Sequence, residues 1–280
     1  AREIYATEAN KNMFNRVRSY AFRSSELDSP APKQLASELP TELREAYEDW
    51  YQSRMTPDRY SKAVSQSDWP VSIFVPEQYE EAYAYPLLTW FHSDGNDEGQ
   101  LDSVMRSVSS QNFIGLSLRG NQRLADGSYC WNAKDSKVGG VPLSALLHLT
   151  TCRLRRAMHI HSERIYLAGA GRGADTALRV LQQHPEWFAG AVLLDPVCEF
   201  NEASDPAAFA SLKGKSVLCS VAHACGLENM ARSVRMVRCL RDSGAQVEVD
   251  LTEDFFDPES EAARVIDRWV MNRVLMETCV

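Results

Sequence analysis

The sequence predicts an α/β protein in which helices cover both faces of a doubly wound, mostly parallel sheet, with a helical extension at the N-terminus. Three observations predict this class. The 280 residues are 44% apolar and 24% charged, as in ordinary globular chains. Short apolar runs alternate with helical patterns from residue 71 onward, as in βαβ units. The first 66 residues contain no such alternation.

The N-terminal arm, residues 1–66, is predicted to consist of helices and linkers without strands. Apolar side chains between Met13 and Ala21 recur at helical spacing, and Ser29-Pro30 interrupts the pattern. Thr41 is a candidate cap for a second helix that continues to about residue 55. Because the arm is rich in aromatic residues, we expect it to contact a protein partner or a second copy of the chain.

The predicted strands are short apolar runs, which a buried parallel sheet favours. They are Val71–Val75, Leu87–Phe91, Phe113–Leu118, Ile165–Ala168, Ala191–Leu194, Val217–Val221 and Val247–Leu251. Between them, apolar residues recur three and four positions apart, as from Leu143 to Leu154 and from Ala262 to Trp269. These stretches are the predicted covering helices of a single domain, residues 67–280.

Charge and cysteine usage restrict the possible partners and compartment. The net charge is −8, so the chain lacks the basic footprint that nucleic acids or anionic membranes attract. The seven cysteines are scattered and form no C-x-x-C pair, which favours reduced thiols. Neither an apolar window long enough to span a membrane nor the apolar core of a signal peptide is present, so we expect a cytoplasmic protein with no membrane span.

The most informative segment is Arg164–Leu178, where a predicted strand enters a glycine-rich turn and then a helix. Gly169, Gly171 and Ala174 fit the dinucleotide-binding pattern G-x-G-x-x-G/A, and Asp195 follows at about the spacing of a ribose-binding carboxylate. The same turn also fits the nucleophile elbow G-x-S-x-G, with Gly171 at the nucleophile position. Several predicted strands precede the turn, which favours the elbow over a dinucleotide site.

Four segments around this turn identify a family resemblance. They are Pro86–Gly95, Phe113–Trp131, His161–Gly169 and His184–Leu194. In this order, the chain resembles the phospholipase/carboxylesterase family of α/β hydrolases, an esterase and dienelactone-hydrolase-like group, over roughly residues 70–275. The resemblance implies an α/β-hydrolase fold in which the first segment contains the oxyanion loop.

The resemblance also places three catalytic positions on residues without the required chemistry. The nucleophile maps to Gly171, the acid to Cys225 and the base to Phe255. A serine hydrolase needs serine, histidine and a carboxylate to form its acyl-enzyme. We therefore expect a pseudoenzyme, not an enzyme, that serves as a structural or interaction subunit of an assembly. We also expect glycine at position 171 to relax the strained turn.

Two other functions remain open. A carboxylesterase-type hydrolase with a displaced nucleophile would use a cleft residue such as Cys225 or Cys130, paired with His223 or His92. A small-molecule-binding protein would use the retained cleft without turnover.

The candidate cleft or ligand residues form a final set. They are His92, Ser93, Arg119, Trp131 and Arg172. The last of these follows the elbow, where a helix N-terminus attracts anions. The histidines and cysteines lack a complete ligand set at close spacing, so we expect no metal, and we expect no cofactor.

Overall fold

The computed structural model describes residues 18–21, 69–132, 137–138, 140–198, 206–258 and 263–278. Its strands are β1 Arg18–Ala21, β2 Pro70–Phe74, β3 Tyr85–Phe91, β4 Ile114–Leu118, β5 Gln122–Arg123, β6 Tyr129–Cys130, β7 Lys137–Val138, β8 Val141–Pro142, β9 Ile160–Ala170, β10 Gly190–Leu194, β11 Ser216–Ala222 and β12 Gln246–Thr252. Its α-helices are α1 Leu101–Val108, α2 Leu143–Ala157, α3 Arg172–Gln183, α4 Gly226–Asp242 and α5 Arg264–Thr278. These elements alternate as the sequence pattern predicts.

Eight strands form the central sheet, in the order β1-β2-β4-β3-β9-β10-β11-β12. The strands from β4 to β12 in this order are parallel, whereas β2 is antiparallel to both of its neighbours. Two small hairpins, β5-β6 and β7-β8, lie outside the sheet. Because parallel strands all point the same way, the loops that follow β3, β9, β10, β11 and β12 meet at one edge.

Two apolar clusters explain the continuous apolar runs of the central strands. One cluster includes Leu146 of α2, Leu178 of α3 and Met236 of α4. The other includes Met105 of α1 and Val270 of α5. Strands β3, β4 and β10 are buried along their whole length, as strands covered on both faces must be. The predicted doubly wound α/β fold is confirmed.

In the N-terminal region, the structure describes one segment, and this segment is a strand and not the predicted helix. Arg18–Ala21 forms strand β1, which pairs antiparallel with β2, instead of continuing a helix. The edge of β2 offers unpaired backbone groups that a short extended segment satisfies, a long-range effect that local periodicity does not reveal. The other helices predicted in residues 1–66 lie outside the described residues, and the domain boundary at residue 67 stays a prediction.

In the described part of the chain, no helix is long and apolar enough to cross a bilayer. The predicted cytoplasmic location stays a prediction.

Candidate active site

The turn between β9 and α3 has a conformation that only glycine adopts without strain. Gly171 has φ 58° and ψ −125°, and its N–H donates to the carbonyl of Leu194 at 3.0 Å. Because φ is positive, glycine avoids the Cβ penalty of this turn, in agreement with the sequence expectation that glycine relieves its strain.

The two outer glycines of the turn have a steric role. A Cβ on Gly173 would lie 2.2 Å from the carbonyl oxygen of Phe91, and one on Gly169 would lie 2.5 Å from the carbonyl of Gly173. By contrast, a Cβ on Gly171 would meet no atom within 4 Å. Close strand–helix packing thus requires the outer glycines, whereas position 171 faces open space.

That open space is a cavity of about 260 Å³ at the carboxyl edge of the sheet. Its polar or small lining residues are Ser93, Gly171, Asp195, Cys225, Asn229 and Ser233, and its apolar ones are Ala170, Pro196, Val197, Val221, Phe255 and Phe256. The three positions that the family resemblance assigned to catalysis all line this cavity. Each of them follows a different parallel strand, β9, β11 or β12, which explains why they converge.

Cys225 places a thiol at this cavity. It is partly exposed, and it is the N-cap of α4, a helix of 17 residues. Its Sγ donates to the carbonyl of Gly226 at 3.5 Å. His223, two residues earlier, is exposed, and among the described residues no hydrogen bond joins its ring to Cys225. The thiol therefore borders the cavity at the start of α4 without a bound imidazole.

His92, in the loop after β3 that the family resemblance aligned with an oxyanion loop, is buried and does not line the cavity. Its Nδ1 donates to the carbonyl of Ser93 at 2.9 Å, and its Nε2 accepts from the N–H of Gly120 at 2.8 Å. Since a carbonyl only accepts and an amide only donates, these bonds require the neutral ring. Burial lowers the pKa of His92, against smaller raising effects from the Ser93 carbonyl and from Asp97 and Glu98.

This arrangement predicts a loss of stability in mild acid. The unfolded chain binds more protons than the native state below the ordinary histidine pKa of 6.5. The contribution of His92 to the free energy of unfolding is thus complete above that pH and is lost as the pH falls towards the lowered native pKa. Urea unfolding between about pH 5 and 8 measures this loss.

The control for this prediction is His92→Gln, which removes the titrating ring. Burial also lowers the pKa of His184, so the parent profile contains both contributions. We expect the slope below neutral pH to be smaller in His92→Gln than in the parent. Equal slopes in the two proteins would show that protonation of His92 is not coupled to unfolding.

Arg119 and Trp131, two further candidates, hold the loops around the cavity but do not line it. Arg119 Nε donates to Oε2 of Glu98 at 2.7 Å, and Glu98 is only 1% exposed. This bond and the charge of Glu98 raise the pKa of Arg119. Trp131 is buried, and its Nε1 donates to the carbonyl of His92 at 3.1 Å. Both side chains hold the loop that follows β3 in place.

Arg172 and Asp94 form an ion pair across the elbow, at 2.9 Å between Nη1 and Oδ2. Both side chains are about two-fifths exposed. Arg172 does not line the cavity, and its guanidinium compensates the carboxylate of Asp94 in the loop that follows β3.

Asp195 lines the cavity, and its part there was missed by sequence reasoning. Its Oδ1 accepts from the N–H of Ala222 and its Oδ2 from the N–H of Phe256, both at 2.7 Å. It connects the loops that follow β11 and β12, and its φ is 46°. Burial raises its pKa, against the two backbone hydrogen bonds. Because both oxygens are engaged within the chain, the geometry gives no support to a ribose-binding role.

The described residues contain no group of three histidine, cysteine, aspartate or glutamate side chains arranged to hold a metal ion.

Comparisons with known proteins show the fold. No family model and no curated protein sequence matches the chain. The solved structure of the Bacillus cereus carboxylesterase matches at 19% identity and a TM-score of 0.54, over 80% of this chain and 97% of that one. The carboxylesterase from Mesorhizobium loti matches at 20% identity and a TM-score of 0.53, over 72% and 94%. A thermostable esterase matches at 19% identity and a TM-score of 0.52, over 72% of this chain but only 58% of that one.

The protein has the α/β-hydrolase fold. The sheet order, the elbow after β9 and the cavity beside it agree with this assignment. The prediction that the chain is not an enzyme is contradicted, because the matched structures are esterases and carboxylesterases.

Proposed function

We propose that this α/β-hydrolase-fold protein hydrolyses small acyl esters, with Cys225 as a nucleophile displaced from the elbow. The observation that carries the proposal is the position of Cys225 in the cavity onto which Gly171 opens. Position 171 offers no nucleophilic atom, so the chemistry requires another residue that borders the same space. A partly exposed thiol can attack an ester carbonyl carbon, and Cys225 is partly exposed.

The other sequence candidates for a displaced nucleophile and base are less suitable. Cys130 is 2% exposed and does not line the cavity. His92 uses both ring nitrogens in hydrogen bonds within the loop. Burial raises the pKa of Cys198, which is also absent from the cavity lining, to about 12. Cys225 is thus the cysteine that the geometry favours.

The proposed reaction has two steps. The thiolate of Cys225 attacks the ester carbonyl carbon, a C–S bond forms, and the C–O bond to the alcohol breaks as the alkoxide takes a proton from solvent. Water then attacks the thioester, the C–S bond breaks, and the carboxylic acid leaves as the sulfur takes a proton; the thiol returns this proton to solvent before the next attack, which balances the proton taken up by the alkoxide. No cofactor or oxidant enters this balance.

The cavity limits the size of the substrate. Its volume of about 260 Å³ lies below the range of roughly 300–1,000 Å³ that is typical of ligand pockets. Its wall includes Val197, Val221 and Phe256, which favour an apolar acyl group. We therefore expect short acyl chains to be preferred over long ones.

A series of p-nitrophenyl esters of increasing acyl length tests the proposed function. We expect turnover of the acetate and butyrate by the purified protein, and a steep fall in kcat/KM for the dodecanoate. Heat-denatured protein is the control for non-specific acylation. Hydrolysis no faster than that control, or a rate independent of acyl length, would contradict the proposal.

For the N-terminal arm, we propose that residues 1–66 contact a protein partner or a second copy of the chain. The abundance of aromatic residues in this segment supports the proposal. Light scattering on the full chain and on a chain lacking residues 1–17, which keeps β1, tests it. Identical monomeric masses would contradict a role of the deleted segment in self-association.

A further inference from the structure

Ser93 has an unusual set of hydrogen bonds at the cavity wall. Its Oγ accepts from Nδ2 of Asn96 and from Nε2 of Gln100, each at 3.0 Å. The side chain is partly buried and lines the same cavity as Gly171. The hydroxyl is therefore bound as an acceptor by two amides of its own loop.

The direction of the bond from Gln100 is fixed by its other partners. Its Oε1 accepts from the backbone N–H of Ser93 at 3.1 Å and from Nε1 of Trp90 at 3.0 Å. A backbone N–H and an indole N–H are donors only, so the oxygen of this amide must face them. The NH₂ group must then face the Ser93 hydroxyl. The Asn96 amide is oriented in the same way, since its Nδ2 also faces the carbonyl of Asp94.

With these bonds made, the Ser93 hydroxyl can still donate one hydrogen bond. A hydroxyl has two acceptor lone pairs and one proton, and both lone pairs are used. Among the described residues, no protein group accepts a hydrogen bond from the Ser93 hydroxyl. The Ser93 side chain borders the cavity, so a ligand there can accept this bond. The backbone N–H of Ser93 is already donated to Gln100, so the hydroxyl is the donor that this residue can offer to a ligand.

We propose that the Ser93 hydroxyl donates a hydrogen bond to the carbonyl oxygen of the substrate and stabilises the oxyanion that forms when the carbonyl is attacked. This inference rests on the proposed esterase function and names the ligand group that Ser93 recognises. A donor that is oriented before the reaction stabilises a developing negative charge effectively. The carboxylate of the adjacent Asp94 is paired with Arg172, which reduces its repulsion of that charge.

The first test compares Ser93→Ala with Ser103→Ala. Ser103 lies on α1 and bonds the Gln100 carbonyl at 3.0 Å, but it does not line the cavity. We expect Ser93→Ala to lower kcat for p-nitrophenyl butyrate about 100-fold with KM changed only a few-fold, as for the loss of one oxyanion donor. We expect Ser103→Ala to keep the parent kcat, and Ser93→Thr, which retains a hydroxyl, to keep most of it.

A thionoester substrate separates oxyanion binding from a structural role. Sulfur in place of the carbonyl oxygen accepts hydrogen bonds weakly, so the parent should prefer the oxygen ester. We expect this preference to fall about tenfold or more in Ser93→Ala. An unchanged preference, or a kcat within a few-fold of the parent, would overturn the role of Ser93 and leave the proposed esterase function intact.

A binding measurement distinguishes failure of the inference from failure of the proposed function. NMR titration with 2-pentanone, a carbonyl compound without a leaving group, compares Cys225→Ala with the double variant Cys225→Ala/Ser93→Ala. Loss of one hydrogen bond should weaken binding about fivefold in the double variant. If the parent hydrolyses no ester but this difference is found, the hydrogen bond stands and the esterase proposal fails. Equal affinities or no binding to either variant would overturn the Ser93 inference.

Discussion

Replacing Cys225 by alanine is expected to lower kcat/KM for p-nitrophenyl butyrate by about 1,000-fold or more, because the variant loses the only atom that forms the covalent intermediate. The side chain is partly exposed, so its loss should change the free energy of unfolding little. Initial rates under identical conditions, together with urea unfolding of both proteins, measure the two effects separately.

Cys152→Ala is the matched control for this prediction. Cys152 is also partly exposed, but it lies on α2 with its Sγ 3.7 Å from Nε2 of His148 and does not line the cavity. We expect parent-like turnover in this variant. Cys225→Ser should be as inactive as Cys225→Ala, since no imidazole is bonded to residue 225 to activate a hydroxyl. Activity in Cys225→Ala above a tenth of the parent value would exclude the proposed nucleophile.

Gly173→Ala is expected to lower the free energy of unfolding by about 4 kcal/mol or more, or to prevent folding. The new Cβ would lie 2.2 Å from the Phe91 carbonyl oxygen and 2.5 Å from that of His92, both of them backbone atoms. Relief of this contact requires α3 to move away from β3 and β9. Urea unfolding followed by circular dichroism measures the loss, and low yield of soluble protein is the extreme result.

Gly171→Ala is the control for the steric argument, because it adds the same methyl group two residues earlier. There the new Cβ meets open space, so the cost is limited to the positive φ, about 1–3 kcal/mol. The account predicts a soluble, folded Gly171→Ala protein that is clearly more stable than Gly173→Ala. Equal losses in the two variants would show that backbone strain, and not strand–helix contact, determines the turn.

Most of the fold was predictable from the sequence because each buried strand is visible as a short apolar run. Runs such as Leu87–Phe91 and Ala191–Leu194 are apolar on both faces, which indicates a sheet with helices on either side. Strand β1 was not predicted, because its extended form depends on pairing with β2, some fifty residues later, and not on its own periodicity. Local patterns report local preference, and an edge strand is determined by its neighbour.

The site was predictable where residues follow the carboxyl ends of parallel strands. Gly171, Cys225 and Phe255 occupy such positions, so motif order alone brought them to one cavity. The sequence alone could not distinguish Arg119 from a residue that lines the cleft, because its ion-pair partner Glu98 lies in another loop. Asp195 matched only the spacing of a ribose-binding carboxylate, which the sequence analysis already disfavoured, and its hydrogen bonds go to backbone amides that only the folded chain brings near. The spacing of residues along a sequence does not reveal hydrogen bonds between residues that are far apart in it.

Acid-quenched mass spectrometry of the protein during turnover of p-nitrophenyl butyrate tests the central claim most directly. The account predicts a butyryl thioester on the peptide that contains Cys225, formed faster than the steady-state rate and absent in Cys225→Ala. Sustained turnover with the acyl group on another residue, or with no acylated residue at all, would contradict the assignment of Cys225 as the displaced nucleophile.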